Sequence, residues 1–222
     1  DLMYALPHQT ADEAQADAQA AIAHGTSHIS AYHLTLEPNT PFGHTPPQGI
    51  PDSESAQDIE DAVHAALAAA GYAQYETSAF ATAPSQRARH NLNYWQFGDY
   101  IGIGAGAHGK QTRDGLISRS SKYRAPGAYQ KAAGSEQNPY RDQRFTVPRD
   151  EQPFEIMMNA LRLKDGIPTA YLHERSALTL DDLRPTLARL IAQGLIDPAI
   201  EQRLKTTERG FALLNNVLDA FL

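Results

Sequence analysis

The sequence predicts an α/β fold that gives way to a small helical domain. Two observations predict it. An apolar run closed by Pro7, an Ala-rich helical stretch and a β-branched, aromatic run from His28 to Pro38 follow one another within roughly 36 residues, the spacing of a βαβ unit. Beyond about Arg149 the pattern changes to apolar residues at helical intervals, each segment stopped by Gly.

In order, DLMYALP reads as a buried strand end. Thr10 with Glu13 three residues on has the capping-box spacing and starts a helix that ends at Gly25. HISAYHLTLEP is a second strand, and a right-handed crossover between the two makes them parallel. Asn39 to Pro51, broken by Pro, is a loop; Asp52 to Ala70 is a helix; Tyr72 to Ala81 is one strand. Pro84 to Arg89 is a polar, basic loop, and DYIGIGAGAHG reads as a strand with close backbone approaches. Asp114-Gly115 signals a hairpin returning into LISRSSKY, and Pro126 opens a short helix. Gly134 to Asp150 reads as a linker, with a boundary near Phe145–Arg149 that divides the chain into 1–147 and 148–222. The tail then reads as a helix ending at Gly166, a shorter helical piece over Ile167–Ala177, and an amphipathic helix over Thr179–Ile196. RLKTTERG gives a short strand and turn, and FALLNNVLDAFL closes as one helix. Helices, a small β wing and a closing helix make a winged-helix-like arrangement.

Composition narrows the function. A net charge of -7 repels phosphate backbones, so no nucleic-acid partner is expected. The helix from Thr179 carries Arg184 and Arg189 but also Asp181 and Asp182, a poor balance for reading a DNA groove. With Cys 0, the chain can supply no disulfide, no cysteine nucleophile and no thiolate to a metal or iron–sulfur cluster. A cytoplasmic setting fits. The opening at Asp1, straight into a strand-like run, suggests that an N-terminal part precedes it.

The stretch RHNLNYWQFGDYIGIGAGAHG, Arg89 to Gly109, holds the chain's only Trp, Trp95, and two of its nine His. Its GAGAHG matches a dinucleotide-binding fingerprint in letters, but KQTRDG follows as a hairpin where that motif requires a helix. If Arg89–Phe97 is helical, His90, Asn93 and Tyr94 share one face, and Asn91 and Trp95 the adjacent one. An oriented imidazole beside aromatic rings and Gly suits a flat macrocycle, with His90 toward its iron. On residue chemistry alone the same residues fit still better a buried polar–aromatic cluster that merely closes the sheet. The other His form no HxxxH or HExxH, and no GxSxG occurs.

DLMYALPHQT, HISAYHLTLEPNTPF, YETSAFA, the Arg89–Gly109 block and RLKTTERG together resemble the HemW proteins. These are radical S-adenosylmethionine proteins related to oxygen-independent coproporphyrinogen III oxidase. The resemblance implies the C-terminal part of a partial TIM-like barrel followed by the small helical, winged-helix-like domain. It implies that Asp1 contacts S-adenosylmethionine and that His90, Asn91, Tyr94 and Trp95 handle haem, His90 toward the iron. The family's three-cysteine loop for a [4Fe–4S] cluster has no counterpart here. The partners implied are haem or porphyrin and haem-accepting respiratory proteins, with peripheral membrane association allowed. The function implied is a haem chaperone. The alternative is an oxidase that decarboxylates coproporphyrinogen propionates by radical chemistry, and whether the chain serves an enzyme stays open.

Overall fold

The computed structural model describes residues 1–134 and 140–222. By its internal packing the chain divides into two compact units, Asp1–Ala88 and Arg89–Leu222.

In the first unit, β1 (Leu2–Tyr4), α1 (Ala11–Ala23) and β2 (His28–His33) form the βαβ unit, with Leu2 opposite Ala31 in parallel register. The Thr10–Glu13 capping box is formed in both directions, satisfying two amides that a helix start leaves orphaned. Between β2 and the next long helix the expected loop contains one helical turn, α2 (Pro41–His44), because Thr40 accepts from the Gly43 amide and Pro41 presets its backbone. α3 (Ser53–Ala69) is capped by Asp52.

The single strand expected over Tyr72–Ala81 is instead a hairpin, β3 (Ala73–Glu76) and β4 (Ala79–Ala81). The buried Glu76 carboxylate accepts from the Ser78 amide and the Thr77 hydroxyl, which fixes the turn. β4 then pairs antiparallel with β2, so the sheet order is β1-β2-β4-β3 and only its first pair is parallel. The core is apolar: Ala14 and Ala18 of α1 and Ile59, Val63 and Leu67 of α3 pack with Tyr4, Ile29 and Phe80 of the sheet. Small Ala side chains let the two helices run close together.

The second unit opens with α4 (Arg89–Trp95). The Gly-rich run after it is not the expected strand. Only Tyr100 bridges Lys110, and Ile101 to Ala107 is irregular. A side chain at Gly102 would lie 2.2 Å from the His108 carbonyl oxygen, and Gly104 takes φ +102, so the residues that allow close approach also break the ladder. β5 (His108–Arg113) and β6 (Leu116–Lys122) form the hairpin that Asp114-Gly115 announces, both turn residues at positive φ. After α5 (Pro126–Lys131) the expected linker contains a third strand, β7 (Arg141–Thr146), paired with β6. Its side chains are mostly exposed and polar, so it carries no apolar alternation to reveal it. Residues 135–139 of that segment lie outside the described residues.

In the tail, α6 (Gln152–Ala160) stops before Gly166, and the expected helical piece opens with β8 (Ile167–Pro168) before α7 (Tyr171–Arg175). α8 (Leu180–Ala192), again with a capping box at Thr179, buries Leu183, Leu187 and Leu190. β9 (Arg203–Leu204) pairs with β8 as the wing. The closing helix is two, α9 (Glu208–Ala212) and α10 (Leu214–Asp219), broken at Leu213, whose ψ of 34 leaves the helical range. Ile156, Met157, Ile167, Leu187, Leu204 and Val217 are fully buried and form this core. Among the described residues no helix is long and apolar enough to cross a membrane.

Candidate functional site

The Arg89–Gly109 block is organised around one buried cation that the sequence does not flag. Lys110, 1% exposed, projects from β5 and donates to the Phe97 carbonyl oxygen at 3.0 Å, to Asp99 Oδ1 at 2.9 Å and to Thr112 Oγ1 at 2.8 Å. Its ammonium also lies 4.0 Å from the centre of the Phe97 ring. Asp99 Oδ2 accepts from the Thr112 amide at 2.8 Å. All three ammonium protons are thereby used. The clamp fixes the turn after α4, where Phe97 takes a positive φ. Asn93 adds a bond from its amide to the Asp99 carbonyl.

The charges bear the marks of this environment. Burial depresses the Lys110 ammonium below its ordinary value, opposed by Asp99. Burial pushes the Asp99 carboxyl upward, but the Thr112 amide and Lys110 outweigh it and hold it low.

His90 is exposed on α4. Its ring lies 4.7 Å from that of Tyr94, one helical turn on, as the i, i+4 spacing expects. Tyr94 in turn stacks on Tyr100 at 4.2 Å with an interplanar angle of 26°. Arg119 Nη1 donates to the Tyr100 hydroxyl at 3.0 Å, and Arg119 is itself ion-paired with Glu155 of α6. Burial, with Tyr100 second, raises the Tyr94 hydroxyl's pKa. The result is a row of three rings with His90 at its open end, followed along the chain by Ile101 and Ile103, which are 78% and 85% exposed.

Trp95 sits elsewhere. The Arg162 guanidinium lies 5.2 Å from its ring centre, and its indole nitrogen is buried with no partner among the described residues. Arg175 donates to the Gln96 carbonyl beside it. His90 and Tyr94 are therefore brought together, while Trp95 packs toward the C-terminal helices. Asn91, between them, is half-buried. Asp1 belongs to the first compact unit, exposed at the start of β1. Sequence reasoning missed Asp99, Tyr100, Lys110 and Arg119. Only the density of aromatic and charged residues around the Gly run hinted at them. No cluster of three or more His, Cys, Asp or Glu that could hold a metal ion occurs among the described residues.

Comparison with known proteins shows what the chain is similar to. The model of the HemN C-terminal domain matches residues 147–213. The haem chaperone HemW of Escherichia coli is 44% identical over all of this chain and 57% of its own length. That of Haemophilus influenzae is 41% identical over all of this chain and 56% of its own. The chain thus spans a little over half the length of these relatives. Among solved structures, the coproporphyrinogen III oxidase HemN of Escherichia coli, a radical S-adenosylmethionine enzyme, superposes with a TM-score of 0.70 at 18% identity, covering all of this chain and 54% of that one. At that identity the likeness is one of fold: the α/β architecture of the chain resembles that of part of that enzyme.

Proposed function

We propose, since this chain is similar to HemW proteins along its whole length, that it takes part in binding haem and passing it to haem-accepting respiratory proteins. The observation that carries the reading is the exposed His90 imidazole at the open end of the His90–Tyr94–Tyr100 row. A neutral imidazole is a good iron ligand. Bound haem would supply a Lewis-acidic iron and a flat apolar face. His90 would hold the iron, Tyr94 would offer its ring, and exposed Ile101 and Ile103 would offer apolar area. Asn91 and Trp95, on the same helix as His90, are the further residues proposed to handle haem. Because one ligand on an exposed helix holds a metal weakly, the arrangement suits a protein that must release its cargo.

Asp1, acceptor-only when ionised, is the residue proposed to contact S-adenosylmethionine. A [4Fe–4S] cluster fits no residue of this chain, which has no Cys, and no step is assigned to it. Residues 148–222 are proposed as a separate C-terminal module, a reading supported by the family match over 147–213. The setting proposed is the cytoplasm. Radical decarboxylation of coproporphyrinogen is the weaker reading, because the relatives at 44% and 41% identity bear the chaperone name.

The test is a hemin titration followed in the Soret region. The chain should give a saturable shift that His90→Ala weakens by at least roughly tenfold, the loss of one coordinating donor. Unchanged affinity in the variant would overturn the iron-ligand role.

A further inference from the structure

The three-stranded sheet of the second unit has two unlike faces. Alternation along the paired strands puts Tyr100, Lys110, Arg119 and Phe145 on one face. That face meets α6 through the Arg119–Glu155 pair. The same register puts Arg113, Leu116, Ser118, Arg144 and Thr146 on the other. This second face floors a cleft of about 700 Å³, within the usual range of small-molecule sites.

Three properties of the cleft converge. Its floor is low, made of hydroxyl side chains such as Ser118 and Thr146, so a flat body can lie on it. Exposed apolar side chains stand at its ends, Leu116 at 60% and Ile101 at 78%. Finally, Arg113 and Arg144 are exposed and come from different strands, and neither guanidinium has an acidic partner among the described residues. Of the two carboxylates nearby, Asp99 is already neutralised by Lys110, which leaves Asp114 at the tip of the turn.

The surrounding sequence sharpens the contrast. Residues 108–149 hold nine of the chain's 19 Lys and Arg but only three of its 26 Asp and Glu, in a protein whose net charge is -7. Local positive charge of this kind draws anions to it. Two guanidiniums with free fork-shaped donor sets suit two carboxylates. The lining includes no His or Met, so nothing there calls for an iron in the ligand.

We propose that this face is a carboxylate-directed seat for a porphyrin, gripped through its two propionates by Arg113 and Arg144 and independent of metal coordination. The choice of porphyrin among flat dicarboxylates rests on the haem reading above. The lining also includes Tyr100, the inner end of the His90 row, but the two guanidiniums that define the seat belong to β5 and β7 and not to that row.

The probe is iron-free protoporphyrin IX, titrated by fluorescence against the 222-residue chain, with its dimethyl ester as the uncharged control. The free acid should bind saturably and the diester at least about tenfold more weakly. Arg113→Gln and Arg144→Gln should each weaken the free acid roughly tenfold, the loss of one charge-assisted contact. Arg113→Lys with Arg144→Lys should recover part of it. Both positions are exposed, and circular dichroism checks that each variant is folded. Equal affinity for acid and diester, unchanged affinity in the Gln variants, or no binding of protoporphyrin IX would each overturn the seat. A chain that takes up hemin through His90 but ignores protoporphyrin IX refutes the seat and leaves the haem reading standing. One that binds protoporphyrin IX through the two Arg but shows no His90-dependent hemin band keeps the seat and refutes the iron-ligand role.

Discussion

Residues 1–88 carry eleven acidic side chains and one basic one, Arg87, yet beneath that charge their core is almost wholly apolar. Residues 89–222 carry eighteen basic side chains against fifteen acidic ones, and there charge goes inside: Lys110 is buried and clamps a turn, and Arg119 and Arg175 are half-buried against Glu155 and a main-chain carbonyl. The first unit is held by area removed from water, which is non-directional and tolerant of small shifts. The block after it is held by donors and acceptors that must meet at about 3 Å, and a loop holding four Gly needs that directionality to keep one shape. Such a fixed loop can present Ile101 in a defined position and anchor the end of the helix that carries His90, which an apolar core alone would not ensure.

The contrast can be tested from both sides. The largest effect belongs to the apolar unit. Leu67→Ala, at a side chain with no exposure, should cost about 3–5 kcal/mol, read by urea unfolding and by faster amide exchange in α3. A cost below roughly 1 kcal/mol would mean that the core is not what holds that unit.

Next is Lys110→Met, which keeps the length and removes the charge. It should cost roughly 2–3 kcal/mol, because the Phe97 carbonyl and Asp99 lose their donor, and it should change the fluorescence of Trp95, the chain's only Trp. Combined with Asp99→Asn, the losses should fall short of additive by about 1 kcal/mol or more. Strict additivity would remove the clamp from the account.

The smallest effect is on pH. Asp99 is held below its ordinary 3.8, so the stability it contributes is complete above that value and is lost as the pH falls through the folded value. Lys110 has the opposite sense: its burial costs stability at neutral pH, and the cost relaxes as pH rises through its depressed value toward 10.5. Acid unfolding followed through Trp95 should therefore show Asp99→Ala losing acid sensitivity over the window just below pH 3.8, and a variant with the wild-type profile there would contradict it.

The sequence by itself determined what depends on near neighbours. The Thr10 and Thr179 capping boxes, the Asp52 cap, the Asp114-Gly115 turn and the βαβ crossover are all stated within a few residues and all form. The i, i+4 spacing likewise places Tyr94 beside His90. What only the tertiary structure decided depends on distant partners. β7 is mostly polar and becomes a strand because β6 offers it hydrogen bonds. Tyr72–Ala81 divides into a hairpin because Glu76, once buried, caps the turn. Lys110 looks like any surface lysine until the fold brings Phe97, Asp99 and Thr112 around it. Local rules act through backbone geometry that a short window contains. The burial of a charge depends on which elements happen to meet, and no window of sequence contains that.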